Sequence, residues 1–324
     1  MKIAYLDFNE NDFYEDYSIN PKSYGGGRVF ASIAKEIVPD FHLFSNHDSF
    51  KNLLDKENKQ SCHSLSSEQR DKIRSGLPIK DIIKNAEFFD LFVHHQTQYS
   101  LNLNGLNAKS CCWAVGYNDI VHPNNKNLLL YNNFQNPKLF NETKIQKIII
   151  GKPIPTFEEY CKENFIFQCS RHTKTFGSIE VAQICLANNI KVYFAGPIES
   201  GYPLLDYVDN KTVHYLGSIS ENDKIEYLKK ARLTTYLHSW NTSFNLSAIE
   251  SLSYGTPIIS TNVGFWGSLI NDKNGAIIYN SEDFLNAYYN NFSQKQCYNS
   301  AIPYSQDKMI ESFSQAFKNI YEKN

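Results

Sequence analysis

Residues 239–270, SWNTSFNLSAIESLSYGTPIISTNVGFWGSLI, read as a loop, a helix and a strand in immediate succession. The loop turns helical at 245–247, apolar residues recur at helical spacing over 246–254, and 257–260 form a short apolar strand. Working outward, the same alternation precedes it. A strand over 165–169, a helix over 178–188, strands over 191–195 and 213–216, a helix over 222–231 and a strand over 233–237 lead into the quoted stretch. Strands alternating with helices in this way build a doubly wound parallel sheet.

Further upstream, GKPIP (151–155) carries two prolines and a glycine, which disfavour continuing either helix or strand, and it reads as a linker. Before it lies a second α/β pattern. A strand over 3–8 leads through Gly25, Gly26 and Gly27 into a helix over 28–38. Two helices of mixed charge fall within 51–88, and apolar runs at 90–95, 111–115, 128–131 and 147–150 read as strands of one parallel sheet. After the quoted stretch, QDKMIESFSQAFKNIY (306–321) sets Met309, Phe313, Phe317 and Tyr321 at intervals of four, an amphipathic helix with one apolar face. The expected organisation is a Rossmann-like domain over 1–151, a second over 152–304, and a C-terminal helix over 305–324 that packs back on the first domain.

Composition narrows the function. The 324 residues are 42% hydrophobic with a formal net charge of −2, as in a soluble globular protein. Up to Lys152 there are 18 basic against 17 acidic residues, and beyond it 14 against 17, so neither half advertises a nucleic-acid surface. The start MKIAYLDFNEND is too short an apolar run for a signal peptide, and no stretch reaches the roughly 18 apolar residues of a membrane span, so a cytoplasmic protein is expected. The seven cysteines are scattered without a CxxC pair and are expected to be reduced and mostly buried. No His and carboxylate cluster has metal spacing, and no cofactor or metal is expected.

Chemistry concentrates at strand-to-helix loops. Gly25–Gly27 would let backbone N–H groups approach a phosphate at a helix N-terminus. A dinucleotide fingerprint would need glycine where Phe30 stands, which argues against a dehydrogenase. In the second half, FQCSRHTKTFGS (167–178), YFAGP (193–197), YLGSIS (215–220) and the quoted stretch arrive in order.

This succession resembles the GT4-like retaining glycosyltransferases of GT-B fold over roughly 165–280, with a looser match before residue 151. The resemblance implies an α/β chain of two Rossmann-like domains facing a cleft. The family's G-R-x-x-x-x-K-G loop supplies cations for a donor diphosphate. Arg171 and Gly177 match it, Ser170 replaces the first glycine, Phe176 occupies the lysine position, and Lys174 stands two residues earlier. The family's E-x7-E motif, E-x-F-G-L-x-x-x-E-A-x-x-x-G-x-P, aligns without a gap on TSFNLSAIESLSYGTP. Phe244, Leu246, Glu250, Gly255 and Pro257 match, so the resemblance places Glu250 on ribose hydroxyls. It sets Ser243, Phe244, Asn245, Leu246 and Ser247 at the diphosphate, and Ser218 and Ile219 at the donor.

The first glutamate of the motif is Thr242 here. Threonine can hydrogen-bond a sugar hydroxyl but cannot hold the charge that stabilises an oxocarbenium-like centre. Either the donor sugar is unusual, a neighbour such as Asn241 or Asp119 compensates, or catalysis is weak. The family often sets a histidine near the donor sugar at the end of a middle strand. His94 and His95 end one strand, and either a catalytic or a structural role fits them; His122 and His172 are lesser candidates.

The expected partners are a nucleotide sugar and an unidentified glycan, lipid or other hydroxyl acceptor, with peripheral membrane contact through the eight basic and six acidic residues of 51–87 left open. A catalytically degenerate nucleotide-sugar-binding subunit is the alternative. A GT-B sugar-nucleotide epimerase fits the motif less well.

Overall fold

In a computed structural model, the described residues are 1–6, 40–44, 62–94, 99–113, 122, 124–131, 144–240 and 244–322. The chain divides into two compact units, Met1–Ile149 with Asp307–Asn324, and Ile150–Gln306.

The first unit holds a seven-stranded sheet made of β1 (Lys2–Leu6), β2 (Asp40–Phe44), β3 (Cys62–His63), β4 (Leu91–His94), β5 (Lys109–Trp113), β6 (Asn127–Tyr131) and β7 (Lys144–Ile148). Their order is β3-β2-β1-β4-β5-β6-β7, and every neighbouring pair is parallel. A central parallel strand is covered on both faces, which is why Ile3 to Leu6 and Leu91 to His94 are buried without alternation. Ala4, Leu6 and Phe92 pack with Phe44, Leu65, Ile73, Ile79 and Phe89 in the core of this unit.

The helices expected within 51–88 are represented among the described residues by α1 (Ser67–Arg74), closed by a reciprocal cap between Ser66 and Gln69. Ile79–Asp81 and Ala86–Phe88 are single 3-10 turns, because Pro78 and the left-handed Asn85 (φ 59°) interrupt any longer helix. The helix expected over 28–38 lies outside the described residues. β2 and β3 were not legible in the sequence. The last strand was read as 147–150, but β7 runs over Lys144–Ile148: it is an edge strand whose KIQKI sequence keeps polar residues, so the apolar run Ile148 to Ile150 marks its end.

The second unit holds β8 (Glu163–Cys169), α2 (Ser178–Asn188), β9 (Lys191–Ala195), β10 (Val213–Tyr215), α3 (Glu221–Lys230), β11 (Ala231–Tyr236), α4 (Leu246–Ser253), β12 (Ile258–Ser260), α5 (Trp266–Leu269), β13 (Gly275–Ile277), α6 (Ser281–Tyr289) and α7 (Gln294–Ala301). Its six strands are parallel in the order β10-β9-β8-β11-β12-β13. Ile166 faces Val181, Ala182 and Cys185 of α2 and Phe284 of α6, whereas Phe165 and Phe167 face Leu228 of α3. The period-2 alternation of β8 therefore loads both faces of the sheet. Chain order reverses between β8 and β11, so the loops leaving these two strands bound the crevice where open α/β sheets bind ligands.

The chain ends in α8 (Gln306–Glu322), which from Asp307 onward clusters with the first unit. Met309, Phe313, Phe317 and Ile320 are buried, while Tyr321 is 48% exposed. A four-residue step overshoots a turn of 3.6 residues, so three such steps rotate Tyr321 off the face and Ile320 takes its place. Lys109 Nζ donates to the carbonyls of Ile320 and Tyr321 at 2.8 Å each, satisfying the helix end with a cation. Cys111, Cys161, Cys169, Cys185 and Cys297 are free thiols. Among the described residues, no helix is long and apolar enough to cross a membrane.

Candidate functional site

The loop after β8 carries Arg171 and Lys174, both exposed, on a tightly held backbone. Ser170 N–H donates to Ala195 O at 3.0 Å, and His172 N–H to Pro197 O at 2.8 Å. The buried His172 ring stands 3.1 Å from Ala195 O through Nε2 and 2.8 Å from Ser178 Oγ through Nδ1. A carbonyl can only accept, so Nε2 carries the proton and Nδ1 accepts from the serine hydroxyl. Burial pushes this imidazole down to about 4, so His172 is a neutral loop anchor. Gly177 closes the loop at φ 66°, where a Cβ would stand 2.4 Å from Leu237 O; only glycine meets both conditions.

Two further loops meet this one through their backbones. Gly196 follows β9 at φ 117°, and a Cβ there would lie 2.1 Å from Ser170 O. Its N–H donates to Gly217 O at 2.9 Å, and Tyr215 Oη donates to Gly196 O at 2.9 Å. Ser218 and Ile219 follow directly on Gly217, so the loop expected to meet the donor is laced to the Arg171 loop through Gly196.

The third edge is the segment from β11 to α4. Ser239 N–H donates to Thr175 O at 3.1 Å, which ties this segment to the Arg171 loop. His238 is buried, neither ring nitrogen has a hydrogen-bond partner among the described residues, and burial pushes its pKa down to about 4. Trp266 Nε1 is likewise buried and unpartnered among them. Phe244 packs against Phe265, with centroids 4.8 Å apart, and against Tyr304 at 5.8 Å. Asn245 is the N-cap of α4, and its side chain accepts from Ala248 N–H at 3.3 Å. Leu246 and Ser247 form the first turn, half-buried.

Glu250 follows one turn later, 9% exposed, and its carboxylate is already engaged. Oε1 accepts from Lys152 Nζ and from Lys224 Nζ, the latter at 2.9 Å. Lys224 also pairs with Glu221 Oε1 at 2.9 Å on α3. Burial and the neighbouring Lys224 charge push Lys152 down to about 7, while Glu221 and the Cys169 thiol oppose the shift. Lys152 is fixed at its backbone: its N–H donates to Tyr304 O at 3.1 Å and its carbonyl accepts from Gln306 N–H at 2.8 Å.

The structure thus brings together Arg171, Ser218, Ile219, Leu246, Ser247 and Glu250 on three adjoining loops of one sheet. It adds Lys152 and Lys224, which sequence reasoning missed. Lys152 sits in the stretch read as a linker, and Lys224 pairs at i,i+3 with Glu221 like any solvated helix pair, so nothing in the spacing exposed them. His94 is buried at the end of β4 in the first unit. Gly25, Gly26, Gly27, His95, Asp119, Asn241, Thr242 and Ser243 lie outside the described residues. Among the described residues, no group of three or more His, Cys, Asp or Glu side chains could hold a metal ion.

Residues 158–300 match the family model described as Glycosyl transferases group 1, which supports that superfamily for the second unit. No curated protein matches the sequence. Among solved structures, the chain is similar to a glycosyltransferase from Rickettsia africae ESF-5, with a TM-score of 0.75 at 15% identity over 100% of this chain and 99% of that one. It is similar to HepE of Anabaena, solved in complex with UDP, with a TM-score of 0.68 at 14% identity over 98% and 99%. AviGT4, involved in avilamycin A biosynthesis, gives a TM-score of 0.66 at 13% identity over 100% and 99%. These likenesses show the fold, two parallel-sheet Rossmann-like units of GT-B type.

Proposed function

We propose that the chain is a GT4-like glycosyltransferase that moves a sugar, with retention, from a nucleoside-diphosphate sugar to an acceptor hydroxyl. The observation that carries this reading is the buried Glu250 one turn into α4, at the crevice between β8 and β11, with two ammonium groups beside it. A carboxylate held there accepts ribose hydroxyls, and the cations and first-turn N–H groups suit the phosphates. The match over residues 158–300 supports it.

In the proposed reaction the carbon–oxygen bond between the donor sugar and the diphosphate breaks. The acceptor hydroxyl attacks on the same face, and its proton passes to the departing diphosphate. Arg171, Lys174 and the backbone donors of 244–247 stabilise the charge that develops on the leaving group, which carries most of the catalysis. No side-chain nucleophile is required. The acceptor is a glycan, a lipid or another hydroxyl compound, met on the cytoplasmic side and, for a lipid, at the membrane surface.

The substitution of Thr242 at the first motif position favours a second reading, a nucleotide-sugar-binding subunit without turnover. Release of nucleoside diphosphate from a panel of sugar nucleotides separates the two. UDP-glucose comes first in the panel, because HepE has been solved in complex with it. Release that disappears in Glu250→Ala supports the enzyme, and binding without release supports the subunit. NMR assignment of the product anomer tests retention.

A further inference from the structure

We infer that Lys152 and Lys224 join Arg171 and Lys174 as cations for the donor's diphosphate, held on Glu250 until ribose hydroxyls occupy the carboxylate and release them to the phosphates. This rests on the nucleotide-sugar reading above and deepens it by assigning phosphate contacts to two further side chains outside the expected motifs.

The argument starts from one oxygen. Glu250 Oε1 holds two ammonium groups, although Lys224 already has Glu221 at 2.9 Å. The three side chains are only 11% (Lys152), 11% (Glu250) and 14% (Lys224) exposed. Glu221 balances Lys224, so Lys152 and Glu250 complete a network of two lysines and two carboxylates whose desolvation offsets much of its attraction. A diphosphate beside this network would offer both lysines a stronger partner than one shared carboxylate oxygen.

Position agrees. The pair stands beside Cys169, the last residue of β8, whose thiol feels both ammonium charges. Lys224 lies one turn into α3, which follows the Gly217–Ile219 loop, and Glu250 lies one turn after the α4 N-terminus. In a nucleotide the ribose is bonded directly to the phosphate chain. A ribose on Glu250 therefore brings anionic oxygens next to the ammonium groups it displaces.

Lys152 is built for such an exchange. Its backbone is pinned on both sides by residues 304 and 306, and a Cβ on Gly151 would lie 2.3 Å from Tyr304 O, so its Cα is fixed while its four-carbon stem turns. The loop position where the resembled family carries its lysine holds Phe176, which offers no charge.

Isothermal titration tests the assignment, using the nucleoside and nucleoside diphosphate of whichever base among uridine, guanosine and adenosine the wild-type protein binds best. In Lys152→Met and Lys224→Met we expect nucleoside-diphosphate affinity to fall at least about tenfold. Nucleoside affinity should hold or rise, since Glu250 has lost a competitor, and Lys152→Arg should recover to within about threefold of wild type. Parallel loss for both ligands would reduce the lysines to props for Glu250 and overturn the inference, as would unchanged diphosphate affinity.

The wild-type protein supplies a test that does not depend on a variant folding: saturating nucleoside should strengthen inorganic pyrophosphate binding about threefold or more, because ribose frees the lysines. Independence or antagonism of the two ligands would overturn it. A wild-type protein that binds no nucleoside diphosphate would overturn both this inference and the donor reading, whereas normal binding without the split overturns this inference alone.

Discussion

The Phe176 ring packs on that of His238, with centroids 4.5 Å apart, so a benzyl group covers an imidazole that has no hydrogen-bond partner among the described residues. Its folded-state pKa of about 4 lies below the ordinary 6.5, and the unfolded chain therefore binds the extra proton first as pH falls. The associated stability is full above about pH 6.5 and is lost progressively as pH falls through about 4. At pH 5 the loss amounts to on the order of 2 kcal/mol. Urea unfolding at pH 7 and pH 5 checks this: His238→Phe should lose that much less stability between the two pH values than wild type, and an equal loss would contradict it.

Glu250 holds two buried lysines, so its removal takes Lys152 off its carboxylate and leaves Lys224 with Glu221 alone. Glu250→Ala is expected to cost about 3–5 kcal/mol of unfolding free energy, as for a broken buried ion pair. Glu250→Gln, which keeps an acceptor oxygen near both lysines, should cost less. Chemical denaturation at pH 7 gives both values, and equal costs would mean that the carboxylate charge alone, with no contribution from an acceptor oxygen, holds the lysines.

Arg171 is exposed on a loop whose geometry is held by backbone hydrogen bonds and by His172. Arg171→Ala should cost no more than about 1 kcal/mol of unfolding free energy, as for an exposed ionic side chain. Turnover of the sugar nucleotide should fall on the order of a hundredfold or more. Stopped-time assays of nucleoside diphosphate release measure it, and a loss under about threefold would remove Arg171 from the reaction.

Gly196 and Gly201 both sit at positive φ, 117° and 77°, but a Cβ at Gly196 would strike Ser170 O at 2.1 Å while Gly201 has open space around it. Gly201→Ala should cost about 1 kcal/mol, the strain alone. Gly196→Ala should cost more than about 3 kcal/mol and weaken nucleotide binding, because the Ser170 and Gly217 loops must part. Comparable stability of the two variants would show that the three loops are not packed as described.

Legibility in the sequence followed burial. Strands β8, β9 and β11 were read because central parallel strands are apolar on both faces, and α2 because its ends are set by Gly177 and the left-handed Asn189. DFHLF of β2, two-residue β3 and GAI of β13 escaped, since such short or polar runs bury too little to leave a pattern. At the site, Glu250 was visible through its neighbours in the chain. Its lysines were not, because they come from 98 and 26 residues upstream, and only the folded sheet brings them to one oxygen.

The first unit is discontinuous: it takes residues 1–149 and then waits for 307–324. On the ribosome the second unit can therefore close as soon as its own residues have emerged. The first remains without the surface that Met309, Phe313, Phe317 and Ile320 complete. Vectorial synthesis thus reverses the order of the chain, and a message truncated shortly before codon 309 would yield a second unit able to fold beside a first unit left open to chaperones and proteases.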